Sequence, residues 1–267
     1  LSPSDARTLA NEGYRVITAP LPRIFAVFVN QSQAPIFTHK EGREALSLSA
    51  PRTSIVESVL NGYGTPIDGP FPPGALGYAS SSISDHKTAE ARALLEKAGW
   101  ELGPDGIRSR KTKAGTETLS FTLETSNVPE LKAAAEALKN AWAELGIAVK
   151  PQYYEESDLK NLVIRPRKYE ALLFGEVVGR NPDPFSFWHS SQRLDPGLNI
   201  ALYTNTSVDS ILTEARTLFD ASAREEKFRL FRNTIKADTP AVFLYAPSFI
   251  YVVPGTLKGV ILPPITV

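Results

Sequence analysis

The chain has 267 residues, 42% of them hydrophobic and 22% charged, an ordinary make-up for a globular protein long enough to bury a sizeable core. Lysine plus arginine and aspartate plus glutamate both number 29; zero net charge argues against a nucleic-acid or anionic-membrane surface as the main partner. Cysteine is absent, which excludes disulfides, thiol catalysis and cysteine-based metal sites.

Methionine is absent too, even at position 1, so a processed product or a fragment is expected. No signal-peptide pattern opens the chain, and no apolar run is long enough to span a bilayer.

In chain order, "SPSDARTLANEG" reads as a short helix with a serine N-cap and Gly13 just past its end. "YRVITAP" and "RIFAVFVN" are β-rich runs. "KEGREALSLSA" and "PRTSIVESVLNG" read as two helices broken at Pro51. "YGTPIDGPFPPGALGY" is dense in proline and glycine and is expected to be an ordered loop, neither strand nor helix. "SDHKTAEARALLEKAGW" is a helix stopped by Gly99, and the alternating "ETLSFTLET" is a strand.

"PELKAAAEALKNAWAELG" carries Leu131, Ala135, Leu138, Trp142 and Leu145 on one stripe, with Pro129 where a first-turn proline is tolerated. "IAVKPQYYE" and "YEALLF" read as strands, with "ESDLKNLVIRPRK" between them starting as a helix and ending before Pro166. "VDSILTEARTLFD" and "AREEKFRLFRNTIKAD" form a helix pair, and "PAVFLYAPSFIYVV" closes with strands. Alternating strands and helices predict a mixed α/β core with helices packed on a sheet.

The chain is poor in catalytic signatures. His39, His86 and His189 form no HxxxH or HExxH pair. A set of His189, Asp183 and Glu176 is the one metal arrangement the spacing allows, and three surface histidines are the simpler reading. There is no GxSxG elbow, Walker lysine or GxGxxG. Glu155 and Glu156 are neighbours and point to different faces. The cluster Arg165, Arg167 and Lys168 reads as a solvated helix end or an anion-recognising patch.

The segment "GEVVGRNPDPFSFWHSSQ" follows a strand, where ligands of α/β proteins gather. Pro182 and Pro184 restrict its backbone, and Asp183 can cap a short helix. Phe185, Phe187 and Trp188 line a pocket or serve as core, with core favoured for at least two of them.

Several motifs now fall into one order: "REALSLSAPRTSIVESVLNGYGTPIDGPFPPG", "AEARALLEKAGW" with "DGIR", "ELGIAV", "YEALLFG", "NPDPFSFW", "NIALYTNTSVDSILTEAR" and "PAVFLYAPSFIYVV". Together they resemble the extracytoplasmic solute-binding proteins of peptide- and nickel-type ABC importers (family 5). The resemblance implies a periplasmic-binding-protein-like lobe of the class II (cluster C) type, a mixed sheet flanked by helices. It covers only the C-terminal half of complete members. Residues 1–30 correspond to a remnant of the first lobe, 31–240 to the second, ligand-binding lobe, and 241–267 to strands returning toward the first. A lipoprotein signal and most of the first lobe would then lie outside the chain.

The implied role is to bind a peptide or similar small solute between two lobes and deliver it to a membrane permease. No catalysis, cofactor or nucleic acid is implied, and the location is periplasmic or anchored at the cell surface. The alternative is the ligand-sensing domain of a cytoplasmic transcriptional regulator with the same fold.

In peptide-binding relatives, the segment matching "VVGRNPDPF" has a tryptophan where Val177 stands, an aspartate holding the peptide ammonium where Arg180 stands, and a tyrosine where Asn181 stands. Arg180 would repel an ammonium and favour a carboxylate, phosphate or carbonyl oxygen. The resemblance places Glu176, Arg180, Asn181 and Asp183 on the cleft as polar groups, with Glu176 or Asp183 left to hold a free N-terminus. Trp188 and Tyr203 are the aromatic candidates.

Overall fold

A computed structural model describes residues 1–79, 83, 87–113, 115–179 and 182–262, apart from the side chains of residues 35 and 36. Helix α1 (Pro3–Asn11) is capped by Ser2, whose hydroxyl accepts the Asp5 N–H at 3.1 Å. Strands β1 (Arg15–Pro20) and β2 (Arg23–Val29) follow. Next come α2 (Lys40–Ser49), α3 (Arg52–Ser58), the short β3 (Gly64–Pro66) and α4 (Thr88–Lys97). The middle holds β4 (Glu101–Leu102), β5 (Arg108–Thr112), β6 (Gly115–Thr118), β7 (Ser120–Ser126), α5 (Pro129–Ala143) and β8 (Ala148–Tyr154). A helical turn, α6 (Glu156–Asp158), runs into a π-helical stretch (Leu159–Ile164). Then come β9 (Ala171–Val177), α7 (Phe185–Trp188), α8 (Thr206–Thr217), α9 (Ala221–Asp238) and β10 (Ala241–Val253).

The main sheet runs β1-β10-β2-β9-β7-β8, with β3 also on β10. It is mixed: β7 is parallel to β8 and β9, and the other pairs are antiparallel. Helices cover both faces. On one, Trp100, Leu138 and Trp142 pack with the apolar sides of α2 to α5; on the other, Trp188, Phe228 and Phe231 pack with α7 to α9 and the π-helical stretch. This is the flanked mixed sheet expected from the alternation of elements.

Three details differ from the sequence reading. The stretch at 64–73 contains β3, which pairs Thr65 with Ala246 despite its proline; a short edge strand tolerates a residue that cannot donate. The single strand expected over "ETLSFTLET" is broken at Leu119, where β6 leaves for a separate three-stranded sheet, β4-β5-β6. The closing strands are one 13-residue strand.

That long strand slips register between Phe243 and Tyr245. Buried Arg52 donates through Nε to the Phe243 carbonyl at 2.7 Å and the Ile67 carbonyl at 3.1 Å, so the irregularity leaves no orphan acceptor there. Arg43 does the same for the end of α9, with Nη2 donating to Asp238 O at 2.7 Å and Nη1 to Phe37 O at 2.6 Å. These two guanidinium groups tie helices to backbone carbonyls. This suits a cation that stays charged when buried.

Candidate ligand-binding face

Beyond the carboxyl ends of β7 and β9 the surface opens into a hollow of about 560 Å³. Its floor follows from strand alternation. Tyr245 on β10 pairs with Phe25 on β2, and Phe25 pairs with Gly175 on β9. These three lie side by side on one face of the sheet. The Phe25 ring stacks on Tyr245 with centroids 5.0 Å apart. It also leans over Gly175, where a Cβ would fall 2.8 Å from a ring carbon. Glycine is thus required by the close approach of a side chain, not by its own torsions. The next pair, Arg23 and Val177, extends the same face toward solvent, and Val177 is 39% exposed.

Other elements raise the walls. The first turn of α5 contributes Glu130 and Leu131, with Val128 just before it; α6 contributes Glu156. Tyr63, just ahead of β3, and Ile250 on the outer half of β10 close the opposite side. Arg23, Glu130 and Glu156 are the charged lining groups. None forms a side-chain hydrogen bond or ion pair among the described residues. Burial, and secondarily the Glu130 carboxylate, push the Tyr245 phenol above its ordinary range.

The residues singled out from sequence are scattered with respect to this hollow. Glu176 follows Gly175 and therefore points through the sheet to the opposite face. It is only 4% exposed, and neither carboxylate oxygen has a hydrogen-bond partner among the described residues. Burial holds its carboxyl well above the usual range. Asp183 is engaged by Arg216, whose Nη2 and Nε lie 2.5 and 3.0 Å from Oδ2, and Oδ1 accepts the Phe185 N–H at 3.2 Å. Arg216 in turn lies 3.8 Å from the Phe185 ring centroid. Asp183 thus fixes the start of α7 instead of facing the hollow.

Trp188 is core, with its ring centroid 6.2 Å from Phe28 and 5.8 Å from Phe243. Tyr203 is also inside, its hydroxyl donating to Asp238 Oδ2 at 2.5 Å. Trp188 is inside because α7 is a four-residue helix that must bury an aromatic against the sheet, and Tyr203 packs edge-on against it with ring centroids 6.3 Å apart. Arg180 and Asn181 lie outside the described residues.

Glu176, Asp183 and His189 do not form a metal set: no group of three or more such ligands converges among the described residues. His39 Nε2 sits 3.1 Å from Glu117 and 2.8 Å from Arg110, and the cluster ties α2 to the small sheet.

Phe25, Gly175 and Glu130 escaped the sequence reading, and Glu156 was read there only as half of a carboxylate pair. A signal for Gly175 existed: with Val177 on the cleft, period-2 alternation puts residue 175 there and 176 away. Phe25 lies 150 positions upstream, and only the folded sheet brings it alongside.

The family model for bacterial extracellular solute-binding proteins, family 5 (middle region), matches residues 1–196. The oligopeptide-binding protein AppA of Bacillus subtilis is 29% identical over 230 residues, which is 84% of this chain and 41% of that protein. The probable D,D-dipeptide-binding periplasmic protein DdpA of Escherichia coli is 25% identical, covering 98% of this chain and 48% of its own. The chain thus spans about half the length of the curated relatives it matches.

Among solved structures, Bacillus subtilis AppA in complex with a nonapeptide superposes with a TM-score of 0.84 at 26% identity, over 98% of this chain and 52% of that one. NikZ of Campylobacter jejuni in complex with Ni(L-His) gives 0.83 at 21% identity, over 100% and 53%, a likeness of fold. No helix among the described residues is long and apolar enough to cross a membrane. Nothing in these matches supports the sensing domain of a transcriptional regulator. By fold and sequence alike, the chain belongs to the bacterial extracellular solute-binding proteins, family 5.

Proposed function

We propose that this chain is one side of the ligand cleft in the substrate-binding component of an ABC importer. The component takes a peptide or similar small solute between two lobes and hands it to a membrane permease. One observation carries the reading: family membership coincides with an open hollow whose three charged groups lack partners among the described residues. Hinge closure over the ligand would supply the missing contacts, and the closed form would be the one the permease reads. The protein acts outside the cytoplasm, in the periplasm or anchored at the cell surface, and performs no catalysis.

In this reading residues 1–30 are a remnant of the first lobe, 31–240 form the second, and 241–267 are strands returning toward the first. Strand β10 spans the junction in this reading: it pairs with β2, itself paired with β9, through Ala241–Tyr245 and with β1 through Ser248–Val253. Arg180 and Asn181, which follow β9 in the sequence, are the proposed ligand readers.

Calorimetry with a tripeptide library tests the proposal. The complete protein should bind members of the library, and this chain alone should bind the same peptides at least tenfold more weakly. Equal affinity of chain and complete protein would refute a two-sided cleft.

A further inference from the structure

We infer that Arg7 and Asn61 form a latch between the two lobes, a single exposed hydrogen bond that biases the hinge toward the arrangement seen here. The inference rests on reading this chain as parts of two lobes that close on a ligand, and it names a contact that regulates the closure.

The partners come from different pieces of the molecule. Arg7 is on α1, in the first-lobe remnant. Asn61 is in the turn that ends α3, in the second lobe. Arg7 Nη1 donates to Asn61 Oδ1 at 3.0 Å, across 54 positions of sequence. Among the described residues it is the one side-chain hydrogen bond that joins residues 1–20 to residues 31–240.

Each partner is mounted on a rigid support. Helix α1 is capped by Ser2, buries Ala6 and packs on β1 and β10. Helix α3 sinks Ile55 and Val56 into the core. The carbonyls of those two residues accept the Leu60 and Gly62 N–H groups at 3.2 and 2.9 Å, which fixes the turn. Asn61 sits in that turn with a left-handed φ of 50°, a conformation that asparagine and aspartate tolerate better than other side chains. The turn therefore holds a short polar group out toward Arg7.

Position gives the bond its leverage. Tyr63, two residues beyond Asn61, accepts the Ser248 N–H through its carbonyl at 3.1 Å, where β10 passes from one partner strand to the other. Leu1 and Pro3 on the α1 side, and Leu60 and Tyr63 on the turn side, line the hollow. The latch thus lies at the rim of the hollow, close to the junction about which the lobes turn, and rotation there stretches or breaks it. An exposed hydrogen bond contributes little. That suits a contact that tilts the balance between two arrangements and still opens in every transport cycle.

The test measures the spread of distances between the lobes in the complete protein without ligand. Spin labels go on cysteines introduced at Glu12 and Asn140, both exposed, and the chain brings no cysteine of its own to compete. Arg7→Ala should broaden the distance distribution about twofold. Asn61→Asp keeps the turn and turns the bond into an ion pair, so it should narrow the distribution. Roughly 1 M sodium chloride should reverse that narrowing. In the Arg7→Ala background Asn61→Asp should have no effect, because its partner is gone.

A broad distribution that ignores Arg7→Ala, or a narrowing by Asn61→Asp that survives the loss of Arg7, would overturn the latch and leave the two-lobe reading intact. One fixed distance in every variant would overturn both.

Discussion

Two buried acids differ sharply from the buried arginines. Arg43 and Arg52 are surrounded by carbonyl acceptors, whereas Glu124 has an oxygen, Oε2, with no partner among the described residues, and Glu176 has two. For Glu124, burial above all, with Glu170 nearby adding to it, raises the carboxyl to about 7 from an ordinary 4.5. The folded chain therefore holds a proton that the unfolded chain releases between those two values. Raising the pH through that window favours the unfolded state, and the loss is complete above about pH 7. Glu124→Gln removes the penalty. Its melting temperature should match the unmodified protein near pH 4.5 and exceed it at about pH 8, as followed by circular dichroism. A constant gap at every pH would show that the residue titrates normally. Glu176, raised in the same direction, should leave a residual slope of the same sign in the variant.

At the scale of elements, α9 ends in a residue that works against it. Thr239 caps the helix at φ 48° and ψ 55°, a left-handed conformation costly for a β-branched side chain. Thr239→Gly should stabilise the protein by about 0.5–1 kcal/mol in urea unfolding, less whatever is lost with the hydroxyl's 3.2 Å bond to the Lys236 carbonyl. A net loss would mean that bond outweighs the strain.

The same scale shows what the sequence could and could not tell. Helices α5 and α8 were legible because their apolar stripes repeat at the helical period, and β1, β2 and β8 because β-rich runs end at turn residues. The small β4-β5-β6 sheet was not, since "RSRKT" and "GTET" carry no apolar alternation. The facing of Glu176 was hidden for the opposite reason. Neighbours Ala171 to Leu173 on β9 are buried on both sides of the sheet, so no polar-apolar rhythm within the strand marks the acid's face, and only counting back from Val177 does. Membership of a family, carried by many weak motifs in order, was readable well before the cleft was.

For the molecule as a whole, the sheet order predicts a gradient of local stability. Strand β2 lies between β10 and β9, while β1 has β10 on one side and no described strand on the other. Hydrogen–deuterium exchange should show the outward amides of 15–20 exchanging early and those of 23–29 late. In the complete protein the outer strand should become protected, if its free edge is where the rest of the first lobe attaches. Unchanged exchange of 15–20 in the complete protein would argue against that attachment.

The contact between Phe25 and Gly175 also has an evolutionary consequence. Any point mutation at 175 installs at least a Cβ, 2.8 Å from the ring, so ordinary substitution can only damage the aromatic floor. Deleting one residue upstream in the same strand is a different event. It would swap the tenants of the two faces, bringing the carboxylate of Glu176 forward beneath the incoming solute. A single lost codon could therefore place an acid on this face of the sheet where the present chain has bare backbone.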